Sequence, residues 1–293
     1  MQRIVRPLAH AAIWAMLAVA AFGCTDPLPP TPATALAPSS EPGSHFDPST
    51  AGSIIGQVTW EGTVPTSPPL ELFPIPGGGE ILGHKQVRPN PNLPRISPAR
   101  GVANAVVYLR HIRLEESKPW GFPPVSVEMR DCQFRLIQGE TVSSVAFARR
   151  GEAVTLVSRD NHFHAVHADG ATFLNFAFPD ASSPLAPRLT EKGVVELTSA
   201  TGYFWMRGYL FVDDHPYYAR TDSAGRFLLE QVPPGCYEIV CWLPDWREGR
   251  HERDPESGMI SRLYFRPPLE SVQKVTVRAR ECVEIHFTTS AGP

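Results

Sequence analysis

Beyond residue 50 apolar and polar residues alternate with a period of two, and Gly, Pro, Asn and Asp interrupt the pattern every ten or so residues. Ile54-Ile-Gly-Gln-Val-Thr-Trp-Glu-Gly62 reads as a strand ending in a turn, and Asn104-Ala-Val-Val-Tyr-Leu-Arg-His-Ile112 as the next strong strand. Between them, Thr63 to Arg100 is rich in Pro and Gly and reads as loop. Val125 to Met129, Phe134 to Leu136, Val142 to Ala148 and Ala153 to Val157 come next as strands, then a loop carrying three His, then strands over Val194 to Leu197 and Tyr203 to Val212. Thr221 to Leu229 is a turn entering a strand, and Val232-Pro-Pro-Gly-Cys-Tyr237 is a turn with a strand behind it. Asp245 to Gly258 reads as a charged loop, and Val272 to Arg278 with Cys282 to Thr288 as a closing hairpin. No amphipathic helical stretch occurs after residue 50, so the pattern predicts an all-β chain of sandwich type.

The N-terminus departs from this pattern. Arg3 and Arg6 precede an apolar run, Ala11 to Phe22, that is too short for a membrane-spanning helix and fits an export signal. The run closes in Ala21-Phe22-Gly23-Cys24, with small residues where a signal peptidase requires them. Thr25 to Thr50 is Pro-, Ser-, Ala- and Thr-rich and nearly free of large apolar residues, which predicts a semi-extended tether. The formal net charge of -3 implies no general attraction to nucleic acid.

Export permits disulfides among Cys132, Cys236, Cys241 and Cys282. The strand phase sets Cys236 opposite Tyr237, Ile239 and Cys241, and Cys282 opposite Val283, Ile285 and Phe287. A Cys236–Cys282 bridge on an outer face is therefore one of several possible connectivities. His162, His164 and His167 crowd one loop beside Asp160 and Asp169, and on a strand His162 and His164 share a face. No nucleophile elbow, His-Glu-x-x-His or phosphate-loop pattern is present, which argues against an enzyme. Trp205, Trp242, Trp246, Tyr203, Tyr217 and Tyr218 suit either a core or a sugar-stacking groove, and core is the commoner use of such residues.

Three resemblances rest on these segments. The stretch ending in Cys24 resembles the lipobox of bacterial lipoproteins, which implies a lipid on Cys24, a membrane as partner, and a place in the periplasm or at the cell surface. Gly56-Gln-Val-Thr-Trp-Glu-Gly62, Asn104 to Leu109, Thr221-Asp-Ser-Ala-Gly-Arg-Phe227 and Val232-Pro-Pro-Gly-Cys-Tyr237 together resemble the carboxypeptidase regulatory-like, transthyretin-type sandwich. Val145 to His164, with Tyr203-Phe-Trp-Met-Arg-Gly-Tyr209, resembles a cupredoxin. The two patterns interleave, and the arrangement resembles a group of exported bacterial cupredoxin-containing proteins often named for methylamine utilisation. The implied layout is a signal peptide over 1–23, a lipid-anchored tether over 24–52, a regulatory-like sandwich in two parts, 53–118 and 215–293, and an inserted cupredoxin-like domain over 119–214.

The cupredoxin resemblance carries a ligand pattern that this chain only half keeps. His164 matches the first copper His and Met206 the axial Met, but the thiolate position falls on Ala200 and the second imidazole position on Tyr203. Cys132 lies much earlier, on the first strand of that block, and is read as outside the site. The sequence therefore predicts a non-enzymatic envelope lipoprotein that binds or assembles with an envelope protein or glycan, and no cofactor. Two alternatives stand beside it: copper binding or relay through His162, His164, His167 and Met206, and a carbohydrate-binding module.

Overall fold

The computed structural model describes residues 45–67, 70–72, 86–181, 183–253, 255 and 260–291; Cys24 and the signal segment lie outside them. Among the described residues the regular structure is nearly all strand, with a 3-10 turn at Leu114–Glu116, and no helix is long and apolar enough to cross a membrane.

Four sheets hold most of the strands. The first runs Arg226–Val232, Gly52–Trp60, Cys282–Thr289, with the last two strands parallel. The second runs Tyr218–Arg220, Val106–Arg110, Gly235–Leu243, Leu269–Val277, all antiparallel. Ile54, Val58, Val107, Leu109, Ile239 and Phe287 fill the space between these two. The third sheet runs Val145–Arg149, Arg207–Asp213, Gly193–Ser199, His164–Gly170, Leu174–Phe178. The fourth runs Thr155–Ser158, Val125–Arg130, Gln133–Gln138, Thr141–Ser143. Val127, Leu136, Ala146, Val166, Leu197 and Leu210 fill the gap between the third and fourth.

A further core joins the two sandwiches. The outward face of the second sheet supplies Val106, Tyr108, Tyr218, Val240 and Trp242, and that of the third supplies Val145, Phe147, Tyr209 and Phe211. Residues 106–109, 145–148 and 208–212 are consequently buried on both faces, which explains why their sequences read as unbroken apolar runs. The same packing decides the fate of the aromatic residues. Trp242, Trp246, Tyr203, Tyr217 and Tyr218 are buried and Trp205 is half-buried, so the six serve mainly as core.

Two turn motifs have local explanations. The Asp222 carboxylate accepts the N–H groups of Ala224 and Arg226 at 2.8 Å each, and Gly225 takes a φ of +78° where a Cβ would lie 2.3 Å from the Val58 carbonyl oxygen. In the Pro-Pro-Gly turn the Tyr237 hydroxyl donates to the Pro233 carbonyl at 2.9 Å.

The structure corrects several sequence expectations. Val142 to Ala148 is two strands, because the chain leaves the fourth sheet after Ser143 and enters the third at Val145. The C-terminal pair is no hairpin: Leu269–Val277 pairs with Gly235–Leu243 in the second sheet, and Cys282–Thr289 crosses to the first. The charged stretch after Asp245 contains a strand, Glu248–Arg253, that pairs with Ile260–Phe265. Cys236 and Cys282 lie on these two different sheets, Cys236 opposite Thr276 and Cys282 opposite Ser53, so the outer-face bridge is not formed. Both are exposed thiols, whereas Cys132 and Cys241 are buried.

His215 supplies a pH prediction. Its ring is buried, stacks on Tyr218 with centroids 5.4 Å apart, and accepts the Tyr217 N–H at Nδ1. Burial lowers its pKa below the usual 6.5, against the pull of Asp213. The unfolded chain therefore takes up a proton at pH values where the folded chain does not, and the stability contribution present above about pH 6.5 is lost as pH falls. The urea midpoint should hold steady above that pH and decline below it, and His215→Gln should reduce the decline. An unchanged slope in the variant would refute this role.

Candidate functional site

The site sits at one end of the sandwich formed by the third and fourth sheets. Val125–Arg130 and Gln133–Gln138 are joined by only two residues, Asp131 and Cys132, with φ of 53° and 54°. Positive φ at both central residues is the type I′ pattern that favours a twisted hairpin, and it is normally met by Asn or Asp followed by Gly. A Cys in the second place carries a steric cost on the order of 1–2 kcal/mol relative to Gly. Asp160 offsets part of it, accepting the Asp131 N–H at 2.9 Å on Oδ1 and the Cys132 N–H at 3.1 Å on Oδ2.

Asp160 reaches the hairpin because Thr155–Ser158 runs parallel to Val125–Arg130, with Ser158 beside Met129. Both strands thus end at the same edge, where the Asp131-Cys132 turn meets the loop that begins at Arg159. His162 lies in that loop, and His164 opens the next strand, facing inward and 1% exposed. Their rings lie on one side of the chain, with centroids 4.6 Å apart, while Phe163 between them is exposed.

Cys132 Sγ lies 3.5 Å from His162 Nε2, and the same nitrogen is 3.8 Å from Asp160 Oδ2. Donor atoms of Cys132, Asp160 and His162 all fall within 4.8 Å of one another. Asp160 Oδ2 also lies 2.9 Å from His164 Nε2. The tautomer that satisfies this contact places the proton on Nε2, and it leaves His164 Nδ1 as a buried lone pair with no hydrogen-bond partner. Burial lowers the His164 pKa, so the ring is neutral at pH 7. Burial opposes ionisation of Asp160, but His164 and the two backbone N–H groups outweigh it and hold the carboxyl below its usual range.

Tyr203 and Met206 close the site from a tight turn, Met206 N–H donating to the Tyr203 carbonyl at 2.8 Å. The Tyr203 ring packs against His164 and His162 with centroids at 5.3 and 5.8 Å. Burial, with repulsion from Cys132 and Asp160 once these are ionised, pushes its phenol up to about 12. Met206 is buried in the same core as Cys132 and Tyr203. Trp205 donates its indole N–H to the Cys132 carbonyl at 2.8 Å, fixing the hairpin tip from the other side.

Two expectations are corrected here. His167 does not join the site. It lies an odd number of residues from His164 on the same strand, so its ring emerges on the opposite face, where Nδ1 contacts Asn175 at 2.7 Å. Cys132 does join it, although the sequence placed it outside. The one signal that pointed there was an Asp-Cys pair where a two-residue hairpin calls for Asp-Gly.

A type 1 copper centre requires a thiolate and two imidazoles in one plane. At the corresponding positions stand the Ala200 methyl and the Tyr203 phenol, which stays protonated, so these residues do not fit that centre. Cys132 with His162 is a separate donor set, built from the hairpin tip and the His loop.

Comparisons with known proteins find only weak structural likeness. No family model matches the chain, and no curated protein matches it. Solved structures that do match include a copper-containing nitrite reductase and several variants of amicyanin. A Cu-containing nitrite reductase (NirK) from Thermus scotoductus SA-01 aligns at 19% identity and a TM-score of 0.24, over 30% of this chain and 22% of that one. The chain thus matches about a fifth of the reductase's length. A methionine-to-alanine variant of amicyanin in its Cu(I) form aligns at 17% identity and a TM-score of 0.25, over 36% of this chain and 97% of that one. A reduced tryptophan-to-tyrosine variant of amicyanin gives 18% identity over the same shares. At this overlap the likeness carries nothing about what the chain binds.

Proposed function

We propose that this protein is a non-enzymatic metal-binding protein of the cell envelope, holding a closed-shell ion, Zn(II) or Cu(I), between Cys132, His162 and Asp160. The observation that carries this reading is the 3.5 Å approach of Cys132 Sγ to His162 Nε2 from a hairpin position that is sterically costly for Cys. Zn–S and Zn–N bonds of about 2.3 and 2.0 Å at a tetrahedral angle set the two donors about 3.5 Å apart. The thiol and imidazole are therefore already near a ligating geometry, and Asp160 Oδ2 lies 3.8 Å from the same His162 nitrogen. Thiolate and imidazole suit both ions.

A Cys–His–Asp nucleophile is a poorer reading of the same residues. In such a triad the carboxylate holds the ring nitrogen remote from the thiol, whereas here Cys132 and Asp160 approach the same Nε2. The metal reading is tested by titrating the full chain with Zn(II), and anaerobically with Cu(I), against a chromophoric chelator. One equivalent bound with release of the Cys132 thiol proton is expected. Failure to compete for either ion would refute the proposal.

The regulatory-like sandwich and the membrane anchor belong to the same proposal. The four turn and strand motifs support the first, and the basic-apolar-Cys24 segment supports the second. Cells fed a labelled fatty acid should incorporate it into this protein and lose the label in Cys24→Ala; equal labelling of the variant would refute a lipid at Cys24.

A further inference from the structure

The seam between the two sandwiches opens into a cleft of about 240 Å³, next to the metal site but separate from it. Its wall is unusual in charge. Arg95, Arg135 and Arg207 line it and no Asp or Glu does, although the chain as a whole carries more acidic than basic residues. Arg207 is committed: it is buried, pairs with Glu196 at 2.8 Å and donates to the Asp245 carbonyl at 2.7 Å. Arg95 and Arg135 have no carboxylate within ion-pair distance among the described residues. Two guanidinium groups on one concave wall, neither ion-paired to a described carboxylate, form a basic surface that favours an anion.

The rest of the lining defines what that anion is attached to. The half-buried Trp205 is part of the lining, its ring held in place by the bond from its indole nitrogen to the Cys132 carbonyl and by edge packing on Tyr203 at 5.5 Å. A ring fixed on two sides offers a rigid surface for a flat apolar body, at little entropic cost on binding. Gln133 and Asn92 add neutral amides able to bond a substituent on such a body. The cleft volume falls below that of pockets for drug-sized ligands, which limits the ligand to about one ring.

We propose that this cleft binds a small aromatic carboxylate, its ring on Trp205 and its carboxylate between Arg95 and Arg135. Binding there does not require the metal site to be occupied.

Isothermal titration of the full chain with sodium benzoate tests it, with benzamide and inorganic phosphate as comparators. Benzoate should bind at one site. Arg135→Gln should weaken it at least about tenfold, the worth of one charge-assisted hydrogen bond. Arg95→Glu, at an exposed position where folding is not at stake, should abolish it, and Trp205→Phe should retain it more weakly. Benzamide should bind far less tightly, since it lacks the charge. The proposal is overturned if benzoate gives no saturable heat, if Arg95→Glu binds it as well as the parent chain, or if phosphate binds as tightly as benzoate.

Discussion

Cys132→Ser is expected to lower affinity for Zn(II) or Cu(I) by more than about 100-fold while leaving the fold intact. A hydroxyl at this position is neither ionised at neutral pH nor soft, so the strongest donor of the trio is lost. Asp160→Asn should cost less, because the thiolate and imidazole remain and the amide oxygen still accepts one hairpin N–H. Cys132→Gly separates the metal role from a packing role. Glycine removes the positive-φ cost at Cys132, on the order of 1–2 kcal/mol, and loses burial of one small side chain, of similar size. The two nearly cancel, so apo stability should move little while metal binding disappears. A large loss of apo stability with metal affinity retained would show that Cys132 is there for packing alone. Chelator competition and urea unfolding on the three variants measure both quantities.

The second large effect lies at the layer between the sandwiches. Phe211 is buried and touches Tyr108, Tyr218 and Trp242 across the seam, with the Trp242 ring at 5.1 Å and nearly perpendicular. Phe147 packs beside it in its own sheet at 6.2 Å. Phe211→Ala should destabilise the chain by about 3–5 kcal/mol, the usual cost of emptying an aromatic site in a packed core. Because the lost contacts are those that join the two sandwiches, unfolding should also become less cooperative, with near-UV and far-UV signals no longer coincident. A loss below about 1 kcal/mol with coincident transitions would mean that the seam does not couple them. Leu136→Ala, within the core between the third and fourth sheets, is the control: it should destabilise by about 2–5 kcal/mol without that loss of coincidence.

These two regions differ in how far the sequence revealed them. The turn built by Asp222, Gly225 and Phe227 and the one built by Pro233, Gly235 and Tyr237 are legible because their hydrogen bonds close within a few residues. Ala200 and Tyr203 are equally plain as the places where a copper ligand pattern is broken, since that pattern has fixed local spacing. The doubly buried strands announce themselves as continuous apolar runs, although nothing in a run states which sheet will cover its second face.

Period and turn chemistry alone thus determined an all-β chain and most of its strands. Tertiary structure decided the rest. It sent His167 to the far face by strand parity, and it separated Cys236 from Cys282 by moving the last strand to another sheet. It also brought Cys132 to His162, 30 residues on. The reason is the parallel pairing of Val125–Arg130 with Thr155–Ser158, which ends both strands at one edge. Such pairing is a long-range choice made by burial of both strands' apolar faces, and no local spacing encodes it.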